Sequence, residues 1–213
     1  MNQYNKIAII GGTGKAGHYF VKLFAEQGYH VRMLSRKLED EQDTDKHIEI
    51  VHGDVRDFDS VLKLISGCDA VVSALGQTKG ETPVFRVATQ NIIRATDELA
   101  IKRYIVITGL TLDTPSDKKS FGTKLRSKLM RMSFPSICND KQKEYKLLTE
   151  SNLDWTIIRL PFIVQTDERY NIKRKLTDCR GDKISTTDLA YFVIDLLQTD
   201  KYIKEAPFVA NIK

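Results

Sequence analysis

No stretch of this 213-residue sequence is apolar for long enough to cross a membrane, and its first residues do not follow the pattern of a secretory signal. A cytoplasmic location is the expectation. Cysteine is scarce: Cys68, Cys138 and Cys179 are odd in number, far apart and without a partner at C-x-x-C spacing. That argues against a disulfide framework and leaves structural thiols in a reducing compartment. Histidine is confined to His18, His30, His47 and His52, so the later part of the chain, where folds of this kind place a substrate pocket, has none. A zinc site or a histidine-based triad is therefore not expected. Charge of one sign is also missing. The balance of 33 basic and 28 acidic residues leaves +5, too little to indicate a nucleic-acid binder. Internal repeats and low-complexity tracts are absent. With 41% hydrophobic residues the chain can bury the core of one domain, residues 1–213, with a small C-terminal lobe on the substrate side.

Glycine, by contrast, is spaced regularly near the amino terminus. Residues 6–10 are a short apolar run rich in β-branched side chains, which reads as a buried parallel strand. Gly11, Gly14 and Gly17 follow in a G-x-x-G-x-x-G spacing, and Ala16, Gly17, Phe20, Val21 and Phe24 form the apolar stripe of a helix. A glycine-rich turn between strand and helix is the dinucleotide-binding arrangement. Gly11 turns the chain, Gly14 admits a pyrophosphate to the backbone, and Gly17 lets the helix sit close to the sheet. The helix then directs its free amides and positive dipole end at the phosphates. The plainer reading is a glycine turn without a ligand, and the strand-turn-helix context argues against it.

The alternation continues along the chain. Strands are expected at 30–34, 48–52, 69–73, 104–108 and 155–159, helices at 58–65, 83–99, 140–151 and 187–198, and an edge strand at 207–212. Residues 37–46 are polar and aperiodic, an exposed loop. This succession predicts an α/β fold, a Rossmann-type doubly wound parallel sheet whose strand ends line one crevice. The second strand ends in Ser35-Arg36-Lys37, and no carboxylate stands where an NAD site receives the ribose 2′-hydroxyl, since Glu39 and Asp40 come too late. Arg36 therefore points to a 2′-phosphate and to NADP(H). Asp54 suits either an adenine amino group or the cap of the next helix.

Residues 110–138 break the rhythm. Lys118, Lys119, Lys124, Arg126, Lys128 and Arg131 interleave with Phe121, Leu125, Leu129 and Met132 at helix-like intervals. The favoured reading is a helix with its apolar side on the core and a solvated cationic back. The alternative is a lid or contact helix, segment 118–131, for an anionic substrate, a lipid surface or a protein partner.

The glycine loop, Gly53-Asp54-Val55, Ser73-Ala74-Leu75-Gly76 and the run Ser151-Asn152-Leu153-Asp154-Trp155-Thr156-Ile157-Ile158-Arg159-Leu160-Pro161 together resemble the atypical short-chain dehydrogenase/reductases. Within them the chain is similar to the NAD(P)H-binding group that includes flavin reductases of the biliverdin reductase B type and the NmrA-like proteins. The resemblance spans nearly the whole chain, including Asp188-Leu189-Ala190. It implies pyrophosphate at Gly11, Thr13, Gly14, Lys15, Ala16 and Gly17, and a 2′-phosphate at Arg36. It implies adenine near Asp54 and Val55, ribose near Leu75 and Gly76 with Ala74 beside them, and nicotinamide near Thr108, Pro161 and Phe162.

Two departures from the family pattern bear on chemistry. In the pattern Tyr-x-x-x-Lys the lysine holds the nicotinamide ribose and lowers the tyrosine pKa for proton transfer. Lys141 falls at the lysine position, but Ile137 stands at the tyrosine position, and no tyrosine of this chain has a lysine four residues later. Gly109 replaces the serine that follows the strand-five threonine in flavin-reductase-like members. The resemblance thus implies an NADPH-dependent oxidoreductase, with Lys141 and Thr108 as catalytic candidates. Its acceptor would be a conjugated one, such as a flavin or quinone, that takes its proton from water. An NADP(H) sensor of the NmrA-like kind and an epimerase or dehydratase relative are the alternatives.

Overall fold

Residues Lys6–Ile10 form the first strand, β1, with Ile7 and Ile9 buried on one face and Ala8 and Ile10 on the other. Burial on both sides is why this strand reads as a continuous apolar run rather than an alternating one. The computed structural model describes residues 4–37, 45–78 and 80–212. After β1 come α1 (Lys15–Glu26), β2 (His30–Ser35), β3 (Ile48–His52), α2 (Phe58–Ile65), β4 (Ala70–Ser73), α3 (Phe85–Glu98) and β5 (Arg103–Gly109). The second half adds α4 (Phe121–Ser133), α5 (Pro135–Glu150), β6 (Asp154–Leu160), β7 (Phe162–Val164), β8 (Ile172–Lys175), β9 (Lys183–Ser185), α6 (Thr186–Gln198) and β10 (Phe208–Asn211).

Eight of the strands make one sheet in the order β3-β2-β1-β4-β5-β6-β10-β8, parallel except for β8, which runs antiparallel to β10. One apolar cluster joins one sheet face to α1 and α6, and a second joins the other face to α2, α3 and α5. This is the doubly wound parallel sheet expected, with β7 and β9 paired as a separate small sheet on the C-terminal side. The order reverses between β1 and β4, so the crevice of the sheet opens where the glycine turn lies.

Several boundaries differ from the expectation. The 207–212 segment is not an edge strand: β10 lies between β6 and β8, and β8 is the edge. Lys173, Arg174 and Lys175 stand exposed there, charges that discourage pairing with another chain. The helix expected from 140 starts at Pro135, whose fixed φ suits a first turn. The α6 helix, expected from 187, starts at Thr186 under its cap Ser185, whose side chain accepts from the Asp188 amide. Loop residues 38–44, with Glu39 and Asp40, lie outside the described residues.

Helix α4 is reversed relative to the favoured reading. Phe121, Leu125, Leu129 and Met132 are exposed, and its buried side chains are Thr123 and Ser127. Lys119, counted in the cationic run, is buried, with Nζ donating to the carbonyls of Leu110 and Leu112 and to Asp113.

Candidate functional site

The turn after β1 is built around backbone that leaves no room for side chains. Gly11 has φ +78°, and a Cβ there would lie 2.8 Å from the Ala74 carbonyl, so only glycine fits. The Gly14 amide donates to the Gly11 carbonyl at 3.0 Å and closes the turn. A Cβ on Gly17 would fall 1.9 Å from the Gly11 oxygen, so this glycine admits the returning loop rather than the sheet. A Cβ on Gly14 would meet nothing closer than 3.2 Å. Helix α1 follows its N-cap Gly14 without a side-chain cap and without an acidic residue in its first turn, as do α3 and α5, whereas Asp57, Ser120 and Ser185 cap α2, α4 and α6. Its leading amides are thus left for an anion, a fit to the pyrophosphate of a dinucleotide.

A cleft of about 250 Å³ opens on this turn. It brings together Gly11, Thr13, Gly14, Arg36, Asp54, Val55, Leu75 and Gly76, eight of the residues singled out from the sequence. Of the others, Lys15 is exposed on the first turn of α1, Ala16 and Gly17 are buried beneath it, and Ala74 is buried behind Gly11. The wall also carries polar residues that the sequence reading missed, among them Arg56, Thr78 and Glu81. No local periodicity marks them.

Their hydrogen bonds form a chain of alternating charge. The Arg36 guanidinium donates to both Glu81 carboxylate oxygens, at 2.9 and 3.1 Å, and to Thr78 Oγ1 at 3.1 Å. Arg56 donates Nε and Nη2 to Asp54, at 3.0 and 2.8 Å, and lies 3.4 Å from Glu81. The hydrogen bonds from Arg56 hold the Asp54 carboxyl below its ordinary range. Asp54 does not cap α2. Its Oδ1 accepts the Arg56 amide in a tight turn, and Asp57 is the cap, accepting from the Ser60 amide at 2.9 Å.

The ends of β5 and β6, farther along the same sheet edge, supply the other half. A pocket of about 400 Å³ is lined by Gly109, Leu110, Leu160, Pro161 and Phe162 and by Arg126, Leu129 and Met130 of α4. Its wall is almost wholly apolar. Thr108 is buried at this strand end, and its Oγ1 has no hydrogen-bond partner among the described residues. Phe162 is 74% exposed at the rim.

Lys141 is not on either wall. It is buried, with Nζ 2.9 Å from Glu144, 3.4 Å from the Ile107 carbonyl that it donates to, and over the Phe85 ring. Glu144 also accepts from Thr89 at 3.1 Å. Burial pushes the Glu144 carboxyl up, and the Lys141 charge opposes that rise. Among the described residues no tyrosine or histidine lines the cleft or the apolar pocket. Tyr145 packs edge-on against Trp155, and Tyr104 is fully buried with its phenol pushed up by desolvation. Among the described residues no group of His, Cys, Asp and Glu is disposed to hold a metal, and no helix is long and apolar enough to cross a membrane.

Comparison with known proteins agrees with this geometry. YwnB of Bacillus subtilis, an uncharacterized protein, is 25% identical over 207 residues, covering 94% of this chain and 95% of its own. A short-chain dehydrogenase/reductase from Veillonella parvula, solved in complex with NADP, superposes with a TM-score of 0.82 at 15% identity over 98% of this chain and 95% of its own. ChuY, an anaerobillin reductase from Escherichia coli, superposes with a TM-score of 0.82 at 16% identity, over 98% of this chain and 99% of its own. At such identities the solved structures speak for the fold alone. The model of the NAD(P)H-binding family, however, matches residues 11–200, from the first glycine of the turn to just past α6, and the chain therefore belongs to that family.

Proposed function

We propose that this protein is an NADPH-dependent reductase that passes hydride to a flat, conjugated acceptor such as a flavin or quinone. The observation that carries the reading is the apolar pocket at the ends of β5 and β6, which has room for a planar acceptor and, among the described residues, no tyrosine, histidine or carboxylate on its wall to deliver a proton. A conjugated acceptor takes its proton from water after hydride transfer, so this wall suffices. Carbonyl reduction or epimerase chemistry needs a positioned acid. The anaerobillin reductase activity named for ChuY is of compatible kind.

The roles follow from position. The glycine turn and the α1 amides hold the pyrophosphate, with Thr13 and Lys15 beside them, and Asp54 accepts from the adenine amino group. Arg36 takes the 2′-phosphate. Its pair with Glu81 joins two half-exposed side chains, the kind of pair that contributes about 0–1 kcal/mol, so a phosphate can displace or share it. Thr108, buried at the end of β5 next to Gly109 of the pocket wall, is assigned to the nicotinamide end although it lines neither cavity, and Lys141 steadies that strand end through the Ile107 carbonyl. NADPH, when bound, supplies the hydride.

Titration should show at least a tenfold preference for NADPH over NADH, because a charge-assisted hydrogen bond contributes about 1.5–3 kcal/mol, or roughly 10- to 150-fold. Arg36→Ala should remove most of it. The wild type should oxidise NADPH in the presence of a flavin or a short-chain quinone. Equal affinity for the two nucleotides would overturn the cofactor assignment. Tight NADPH binding with no reduction of flavin, quinone or carbonyl in a broad screen would replace the reductase by a nucleotide sensor.

A further inference from the structure

Helix α4 shows its apolar side to solvent. Phe121, Leu125, Leu129 and Met132 recur four, four and three residues apart, one face of a helix, and are 82%, 47%, 56% and 71% exposed. The opposite face attaches to the protein through hydroxyls. Thr123 is completely buried, and Ser127 Oγ donates to the Leu110 carbonyl at 2.9 Å. A helix that docks by its polar face and exposes an apolar stripe about 17 Å long departs from the ordinary amphipathic arrangement. Scattered exposed apolar residues need no explanation, but a contiguous stripe marks an interaction surface.

The charge beside the stripe identifies the partner. From Lys118 to Asn139 the sequence contains no aspartate or glutamate. Arg126 and Arg131 are paired with Asp182 and Asp113. Lys118, Lys124 and Lys128 are exposed, and among the described residues none of them has an ion-pair partner within reach. On a helix of 100° per residue, Lys124 and Lys128 flank one side of the stripe. Lysine is depleted in protein–protein interfaces, which engage about 20–30 residues a side. At a bilayer the same lysines reach past the apolar residues to lipid phosphates. The geometry points to an anionic lipid surface as the partner of this face: α4 lies in the headgroup boundary with Phe121, Leu125, Leu129 and Met132 inserted and the lysines on the phosphates. Leu129 also lines the apolar pocket, so docking opens that pocket beside the bilayer, where a lipid-soluble acceptor would enter. That last consequence rests on the reductase reading, whereas the docking itself does not.

The test is co-sedimentation with vesicles of phosphatidylcholine alone or with about 30% phosphatidylglycerol, an anionic fraction large enough to attract clustered lysines. The wild type should pellet with the anionic vesicles, weakly with neutral ones, and less as salt rises. The variant F121S/L125S/M132S replaces exposed side chains outside the pocket wall. It should keep its melting temperature and NADPH affinity while losing at least about tenfold in partitioning. K124E/K128E should lose the preference for anionic vesicles. In Leu125→Trp, the new indole should shift to the blue on anionic vesicles, against the buried Trp155 as a silent background. Failure of the wild type to pellet with either vesicle would overturn the proposal. So would a wild-type dimer in analytical ultracentrifugation that the triple variant abolishes, since a second copy would then cover the face. Unchanged NADPH binding in the triple variant keeps either result separate from the nucleotide assignment.

Discussion

Gly14 and Gly17 stand three residues apart in one motif, yet they meet different demands. A methyl at Gly17 would strike the Gly11 oxygen, so Gly17→Ala should cost about 1–3 kcal/mol or more and lower the melting temperature by several degrees. A methyl at Gly14 would sit 3.2 Å from the Gly11 oxygen, a tight contact that a shift of a few tenths of an ångström relieves, so Gly14→Ala should melt well above Gly17→Ala and lose at least about tenfold in NADPH affinity, because the lost space belongs to the ligand. Normal nucleotide binding in Gly14→Ala would move the phosphate site elsewhere. Arg36 was legible as a strand-end cation, but its partner was not, because Glu81 lies 45 residues away. Glu81 competes with a 2′-phosphate for Arg36, so Glu81→Gln should tighten NADPH binding several-fold and leave NADH unchanged, as read by titration of both. The Asp54 carboxyl is held below its ordinary value near 3.9 by Arg56, so the stability it contributes is present above that value and is lost as pH falls through the lower folded one. The melting-temperature difference between wild type and Asp54→Asn should therefore be flat from about pH 5 to 8 and shrink below about pH 4.

At the scale of elements, α5 carries the only lysine near the nicotinamide end that the family resemblance singled out, and the fold spends it on a buried pair. Removing one partner of such a pair leaves an uncompensated buried charge, so Lys141→Ala should cost about 3–5 kcal/mol. The sign with pH follows from Glu144, whose carboxyl is already pushed up by burial and would rise further without Lys141. A raised folded value means that the carboxyl's contribution is present at low pH and is lost as pH rises above the ordinary carboxylate range. The variant should thus be penalised more at pH 8 than at pH 5, read by thermal melts at both. Lys141→Met with Glu144→Leu should recover most of the loss, while a role in cofactor positioning would leave NADPH turnover impaired in the stable double variant. Helix α4 was visible from its spacing, but periodicity tells only that one face is apolar. Which face meets the protein was settled by Thr123 and Ser127 finding carbonyl partners on other segments.

For the molecule as a whole, binding at the switch point of the sheet should stabilise the folded state by mass action. At a hundredfold excess over its dissociation constant NADPH contributes about 2.7 kcal/mol, or roughly 5–10 °C in melting temperature for a domain of this size. NADH at the same concentration should give less, and no shift with either nucleotide would argue against the cleft as their site. By itself the sequence determined the parallel sheet and the glycine turn. Both follow from local causes: apolar runs of strand length, helical stripes between them, and a position with φ +78° that only glycine adopts without strain. The tertiary structure decided the rest. It placed β10 between β6 and β8 instead of at the edge, paired Arg36 with Glu81 and Lys141 with Glu144, and turned the apolar side of α4 outward. Except for the Lys141 pair, those outcomes rest on groups distant in sequence. Even that pair, three residues apart on one helix, matters because β5 and α3 close over it and exclude water. Desolvation of that kind is a property of packing, which no local pattern of residues encodes.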